Sequence, residues 1–366
     1  MPHPHDTWPK RPPVPIVTVR GTPYEMGLQH GQQYAEVIRT SVRNWVDGYV
    51  KGQEDKARRV TEHQFPSNQR IYPALFDELR GIADGSGAPY ESIVQMNFRV
   101  WNHIGLVEQT ACTTIGFISE EDGVVVGANL DDPRECYGLI RRDPVDGLTH
   151  VTNTWIGSIW SVDGANEAGL VLAQASLGHP DWQRYKDVVT PRENYFGTVA
   201  RRMLETCADI PQAVALLREF PTYNNWVLGD AKGDLVCIQC WGSAMGLQRA
   251  ADHDNMVFTS NHHFMPEVVA ALAAQGMQPS ISDYSRVRFE VLERARKNQP
   301  RNRATMESLL RSHEGSDQDG LTCICNTGTA LSMYGMPQTR PGVLYVADQP
   351  PCRNDYMEYP VTCGSG

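Results

Sequence analysis

Nine cysteines and 11 histidines carry most of the nucleophilic and metal-binding chemistry open to this chain of 366 residues. Their spacing does not gather them into a metal site. Cys237-Ile238-Gln239-Cys240 has C-x-x-C spacing, and Cys323-Ile324-Cys325 is a second close pair. A zinc ribbon, however, brings its two pairs within about 15–20 residues of each other. Both pairs also lie in apolar runs, where cysteine packs as a small hydrophobe. His262 and His263 are neighbours, and neighbouring side chains on a strand point to opposite faces. No metal and no cofactor is expected. Phosphate-binding loops of the G-x-x-x-x-G-K-[ST] or G-x-G-x-x-G type are missing. Asp131 and Asp132 are adjacent acids that cannot easily share one site on a strand, so a solvated or turn role is expected for one of them.

Cys112 stands apart by position. Alone, a cysteine ahead of Thr113-Thr114-Ile115 reads as a core residue. It opens the first strand of a hairpin, however, directly after the small residue Ala111, and the turn is centred near Asp122. Asp131 on the return strand then falls almost opposite Cys112, and opposed residues have Cβ atoms about 4.5–5.5 Å apart. A slip of one residue would turn the aspartate to the other face.

The elements that must position these residues divide at Cys112. Residues 1–15 hold six prolines and predict an extended arm outside the packed core. A short strand, Ile16–Val19, is followed by helical spacing from Tyr24 to Val50 and by a helix through Leu75, Leu79 and Ile82 that stops at Gly85-Ser86-Gly87. After Cys112 the pattern turns to strands. Thr113–Ile118 and Val124–Asn129 flank the turn, with further runs at Val151–Trp155, Gly169–Ala173, Asn225–Leu228, Leu235–Cys240 and Met256–Thr259. Helices are predicted near Tyr195–Glu205, Pro211–Phe220, Pro266–Ala274, Ile281–Arg296 and Ala304–His313, and closing strands at Thr322–Asn326, Ala330–Tyr334 and Val343–Ala347. Antiparallel strands in blocks separated by helices predict an α+β protein with helix layers on sheets. Trp155, Trp160 and Trp182 either line a pocket or, as is commoner, pack the core.

Composition narrows the partners. Hydrophobic residues make up 41% and charged residues 21%, and the formal net charge is −10. An acidic chain without a basic run is a poor match to nucleic acid, whose phosphates need a basic face. No window reaches the roughly 18 apolar residues of a membrane helix, and the N-terminus has no apolar signal core. A cytoplasmic location is expected, and the scattered cysteines do not suggest a secreted disulfide scaffold.

Six segments then align in order with a known family. They are G-T-P-Y-E-M-G-L-Q-H-G from Gly21, L-R-G-I-A-D-G-S-G from Leu79, A-C-T-T-I-G-F from Ala111, G-A-N-L-D from Gly127, D-G-A-N-E-A-G-L from Asp163 and V-F-T-S-N-H-H from Val257. The chain resembles the isopenicillin-N acyltransferase family, which includes acyl-coenzyme A:6-aminopenicillanic acid acyltransferase and carcinine-type β-alanyl amine hydrolases. The resemblance implies an N-terminal-nucleophile αββα sandwich, made as a precursor that cleaves itself between Ala111 and Cys112. The products would be an α chain of residues 1–111, mostly helical, and a β chain of residues 112–366, held in one compact unit. It further implies Cys112 as nucleophile, Asp131 as the residue orienting it, and Asn261 as an amide donor to the oxyanion. Two positions depart from the family pattern. Ala111 stands where glycine is frequent, and Asn326 stands where the acyltransferase branch has an arginine, so one charged contact is missing.

The expected function is a self-processing cysteine amidase that cleaves a small N-acyl amide through a thioester. The alternatives are an acyltransferase that hands the acyl group to an amine, and an uncleaved, non-catalytic binding protein of the same fold. Expected partners are a small N-acyl substrate and the two chains of one precursor, with no nucleic acid and no membrane.

Overall fold

The computed structural model describes residues 3–100, 112–132, 137–176, 196–279 and 281–362. Strand β1 (Ile16–Gly21) leads into α1 (Pro23–Gln33) and α2 (Ala35–Ser41), which continues through a π turn. α1 begins where its sequence says it should. Thr22 and Glu25 form a reciprocal capping box, and Pro23 occupies the first turn, where no backbone donor is lost. Helices α3 (Glu54–Ile71), α4 (Leu75–Ser86) and α5 (Tyr90–Asn97) complete the N-terminal layer. α4 ends as its glycines predict, with Gly87 left-handed at φ 70°. Helix α3 escapes the apolar-periodicity reading because Ala57, Gln64, Asn68 and Ile71 are its only buried side chains, two of them polar.

Two of the family-like segments form one crossing. Gly27 on α1 and Gly81 on α4 lie where the helix backbones touch. A Cβ on Gly27 would sit 2.1 Å from the Glu78 carbonyl oxygen, and one on Gly81 would sit 2.2 Å from that of Tyr24. Only glycine permits so close an approach.

Beyond Cys112 come β2 (Thr113–Ser119), β3 (Gly123–Asp131), β4 (Tyr137–Pro144), β5 (His150–Trp155), β6 (Gly164–Asn166) and β7 (Val171–Ser176). Next are α6 (Phe196–Thr206), α7 (Ile210–Glu219), β8 (Thr222–Gly229), β9 (Leu235–Gly242), β10 (Ala244–Arg249) and β11 (Met256–Thr259). The chain continues with α8 (Pro266–Ala274), α9 (Asp283–Asn298), α10 (Arg303–Leu310), β12 (Thr329–Gly335), β13 (Val343–Asp348) and β14 (Met357–Pro360). One sheet runs β1-β4-β5-β6-β7-β8-β9-β10 and the other β11-β2-β3-β12-β13-β14. Every pairing is antiparallel except β1 with β4.

Alternate residues of each strand sort into separate cores, and this defines four layers. Val124, Val126 and Ala128 of β3 pack with Ala173, Val227 and Cys237 between the sheets. Leu172, Trp226 and Ile238 face α6 and α7 instead. Ile115, Phe117 and Val125 face α9 and α10 on the far side of the second sheet. The αββα arrangement expected from the resemblance is therefore the one observed. Trp155 and Trp160 are wholly buried in the layer beneath α2, α4 and α5, so they pack the core; Trp182 and Tyr195 lie outside the described residues.

Two expectations fail. Residues 322–326 form no strand; they make a loop between α10 and β12. Nor does the proline-rich arm stay outside the core. Pro4–Thr7 make a short 3-10 turn and His5 is fully buried, because its ring enters a pocket of sulfur and imidazole groups. Among the described residues, no helix is long and apolar enough to cross a membrane.

Candidate active site

Cys112 sits immediately before β2 and is 2% exposed. The hairpin register pairs Thr113 with Asn129 and Ser119 with Gly123, which centres the turn on Glu121 and places Leu130, rather than Asp131, opposite Cys112. The turn tightens by one residue because the Ser119 hydroxyl accepts the backbone N–H groups of Glu121 and Asp122, at 3.2 and 3.0 Å. Asp131 still reaches Cys112, by its backbone: its N–H donates to the thiol. Its carboxylate turns away, with Oδ1 accepting from Thr329 Oγ1 at 2.7 Å and Oδ2 from Asn326 Nδ2 at 2.6 Å.

Asn261 meets Cys112 from the loop after β11. Its Oδ1 accepts the Cys112 backbone N–H at 2.9 Å, and its Nδ2 donates to the Ser176 carbonyl at 2.5 Å. That loop is clamped. Ser285 Oγ, at the start of α9, accepts the Asn261 N–H at 2.9 Å and lies 2.7 Å from both Ser260 Oγ and His262 Nδ1. Asn225 Nδ2 and Gln239 Nε2 bind the carbonyl of His262 at 3.3 and 2.9 Å. His262 and His263 lie in the loop after β11 rather than on a strand, yet their rings still find different partners, His263 turning toward the Trp241 ring 5.5 Å away.

Arg288 joins the three anticipated residues and was not anticipated. Its Nη1 donates to the Cys112 carbonyl and, at 2.8 Å, to Thr113 Oγ1; its Nη2 donates to Asn261 Oδ1 at 2.9 Å. Nη1 also lies 3.9 Å from Asp131 Oδ2. The side chain is entirely buried. A signal existed in the sequence. Ser285, Arg288, Val291, Leu292 and Ala295 form the buried stripe of α9, so Arg288 is a charge at an apolar-face position, which requires a partner inside. Asn326, at the departure from the family pattern, is a neutral donor to Asp131, while a cation still reaches that carboxylate from Arg288.

The neighbouring acids have distinct surroundings. Asp132 is buried, not solvated; Tyr137 Oη donates to its Oδ2 at 2.6 Å and Arg99 Nη2 lies 3.3 Å away. Asp163 accepts from Asn153 Nδ2 at 3.0 Å and from the Gln174 N–H at 2.8 Å, and burial still pushes its carboxyl up to about 6. Burial, reinforced by the Asp131 charge, pushes the Cys112 thiol far above the ordinary thiol range. The same cause lowers Arg288, offset by Asp131. Cys112 belongs to a buried apolar cluster that includes Phe98, Val100, Leu130, Trp160 and Val162, and a thiol so enclosed is held in its unreactive, protonated form. Ala111 and Pro133 lie outside the described residues.

No family model matches this chain. Over 120 residues it is 29% identical to the 40 kDa form of acyl-coenzyme A:6-aminopenicillanic-acid acyltransferase of Emericella nidulans, covering 31% of this chain and 33% of that protein. The chain is distantly homologous to this acyltransferase. An uncharacterised protein of Archaeoglobus fulgidus is 19% identical over 314 residues, covering 70% of this chain and 51% of the relative. The matches thus span only about a third to a half of these relatives' own lengths. Among solved structures, the chain resembles the Caenorhabditis elegans orthologue of N-acylethanolamine-hydrolysing acid amidase (TM-score 0.47, 12% identity, covering 68% of this chain and 100% of that one). It also resembles penicillin V acylase from Agrobacterium tumefaciens (0.44, 16%, 65% and 83%). A third is a mutant conjugated bile acid hydrolase from Clostridium perfringens (0.42, 10%, 68% and 96%). These are enzymes of the N-terminal-nucleophile fold.

Proposed function

We propose that this chain is a self-processing cysteine amidohydrolase that cleaves itself between Ala111 and Cys112 and then hydrolyses a small N-acyl amide. The observation that carries this reading is the grip on the Cys112 backbone. Asn261 holds its nitrogen, Arg288 its carbonyl, and the Asp131 N–H its thiol. A cysteine that merely fills the core has no use for three polar anchors from three separate elements.

Processing begins when the Cys112 sulfur adds to the Ala111 carbonyl carbon. The peptide C–N bond breaks, the departing nitrogen takes the thiol proton, and a thioester remains. Water hydrolyses that thioester, leaving a carboxylate on Ala111 and a free thiol and α-amino group on Cys112. A free α-amino group has a pKa of about 7.7–8.0, suited to removing the thiol proton and returning it to a leaving amine. Asn261 Oδ1 is placed to orient that amino group. Asn261 Nδ2 is the side-chain donor for the oxyanion, and Asp131 and Arg288 fix the frame. The apolar neighbours of Cys112 favour an apolar acyl group. Residues 1–111 and 112–366 stay together as α and β chains, since β1 pairs with β4 and residues of α2, α4 and α5 share a buried core with Trp155 and Trp160.

A second reading, transfer of the acyl group to an amine, is favoured by what the Emericella nidulans relative is called. Hydrolysis is preferred because Asn326 lacks the charge that the acyltransferase branch carries there. Intact-mass measurement tests the first step: wild type should yield two fragments, the second beginning at Cys112, and Cys112→Ala should remain whole. A wild-type chain that stays whole and inert against N-acyl amides would instead mark a binding protein. Supplying one turned-over substrate with rising amine then tests the second. Free acid should dominate throughout, and new amide as major product at about millimolar amine, the upper range of ordinary substrate levels, would make the enzyme a transferase.

A further inference from the structure

His5, His313, Cys325 and Cys352 converge although they span almost the whole chain. One potential ligand atom from each lies within 4.8 Å of all the others. His5 Nδ1 is 3.5 Å from Cys325 Sγ and 3.5 Å from Cys352 Sγ. Zinc–sulfur and zinc–nitrogen bonds of about 2.3 and 2.0–2.1 Å at tetrahedral angles put sulfur and nitrogen ligands roughly 3.5 Å apart. Those two distances are therefore edges of a zinc tetrahedron. We propose that these four side chains bind one zinc ion in a closed Cys2His2 site, separate from Cys112.

Three further points agree. Binding Zn²⁺ releases one proton from each of the two thiols to solvent, so two thiolates, two neutral imidazoles and the ion sum to zero charge. A neutral assembly is what a buried pocket tolerates, and His5 and Cys325 are both fully buried. His3 stacks on His313 with ring centroids 3.6 Å apart and planes 10° from parallel, which fixes the orientation of that ring. Without a metal, the Nδ1 of the buried His5 ring lies between two thiols.

The site would staple three stretches: the N-terminal arm, the loop after α10 and the turn after β13. It also sits one residue from the candidate active site. Cys325 precedes Asn326, whose side chain holds Asp131. A zinc at Cys325 thus anchors the loop that keeps Asp131 in place. All four ligands must reach zinc at once, so the sequence spacing, which is scattered, conceals a site that the fold assembles.

The test uses the full chain without a histidine tag, purified without chelator, supplied with zinc and dialysed. Elemental analysis should return about one zinc per chain, as expected of a closed structural site. Cys352→Ser and Cys325→Ser should each retain less than about a tenth of that, while Cys323→Ser, beside but outside the ligand set, should keep it. Should the ligand variants fail to fold, cobalt(II) in the wild-type chain serves instead. It should give the intense visible bands of tetrahedral coordination with sulfur-to-cobalt charge transfer. Stripping the zinc should also speed trypsin cleavage after Lys10 in the released arm. A metal-free chain with Cys325 and Cys352 freely reactive, a Cys325–Cys352 disulfide in a non-reducing peptide map, zinc lost from Cys323→Ser, or arm cleavage unchanged by stripping would each overturn the proposal.

Discussion

Asn261 spends both ends of its amide in this structure, the oxygen on Cys112 and Arg288 and the nitrogen on Ser176. The two ends predict separable effects. Through its oxygen it holds the Cys112 nitrogen, and under the proposed function its nitrogen would donate to a developing oxyanion. Loss of one oxyanion donor costs about 10²–10³ in kcat. Asn261→Ala, assayed on chain that has already been cleaved, should therefore lower kcat by about that factor with KM little changed. A raised KM at unchanged kcat would assign Asn261 to ground-state binding instead. Cys112, Asp131 and Asn261 could be picked from the sequence because each lies in a short segment of recognisable pattern. Arg288 carried only the signal of a charge on an apolar helix face, since nothing in residues 283–298 says which strand that helix will cover. The register of Asp131 was likewise hidden, because a one-residue change in turn length depended on which backbone groups the Ser119 hydroxyl captured.

The α1–α4 crossing is the element-scale feature that most constrains the N-terminal layer. Gly27, Gly31, Gly81 and Gly85 all sit where a Cβ would meet the opposing backbone closer than 3 Å, and backbone cannot swing aside as a side chain can. Gly81→Ala should force the helices apart and disturb the packing of Ile82 and Leu79 behind them. Overpacking of this kind costs about 1–3 kcal/mol. Urea denaturation would detect it as a lower midpoint at unchanged slope. A midpoint within error of wild type would mean that the crossing relaxes freely. At this scale the strands and helices with strong apolar periodicity were legible, among them β2, β3, β9, β11, α8 and α9. Helix α3 was not, since it buries little, and residues 322–326 were misleading, since their apolar character serves a buried loop and not a sheet edge.

At the scale of the whole molecule, buried histidines should make the protein sensitive to acid. His30 accepts the Gly157 N–H on Nε2 at 3.0 Å, and burial, then Arg142, lowers its pKa to about 3. Burial also lowers His262 to about 4 and, aided by Arg201 and Arg142, takes His150 well below its ordinary value. Below about pH 6.5 the unfolded chain takes up protons that these folded rings refuse. Stability is therefore full above that pH and declines as pH falls toward the folded values. Asp163 works oppositely, stabilising the fold below about pH 4 and losing that contribution as pH rises through about 6. Asp348, raised by burial, acts in the same sense, but the histidines, with His3 also lowered to about 4, outnumber them. The urea midpoint should fall between pH 7 and pH 4.5. His30→Gln, which keeps an acceptor for Gly157 but cannot be protonated, should weaken the dependence by on the order of 2 kcal/mol. A midpoint that holds or rises on acidification would show that the rings are protonated at little cost. What the sequence by itself determined is what travels in short segments: the switch from helices to strands at Cys112, the glycine pattern of the crossing, and Cys112 with the two polar residues, Asp131 and Asn261, that meet it. What only the tertiary structure decided is where distant segments meet. Arg288 reaches Cys112, and His5 reaches Cys325, because buried charge and buried imidazole must find partners inside, and the folded chain decides which partners are there.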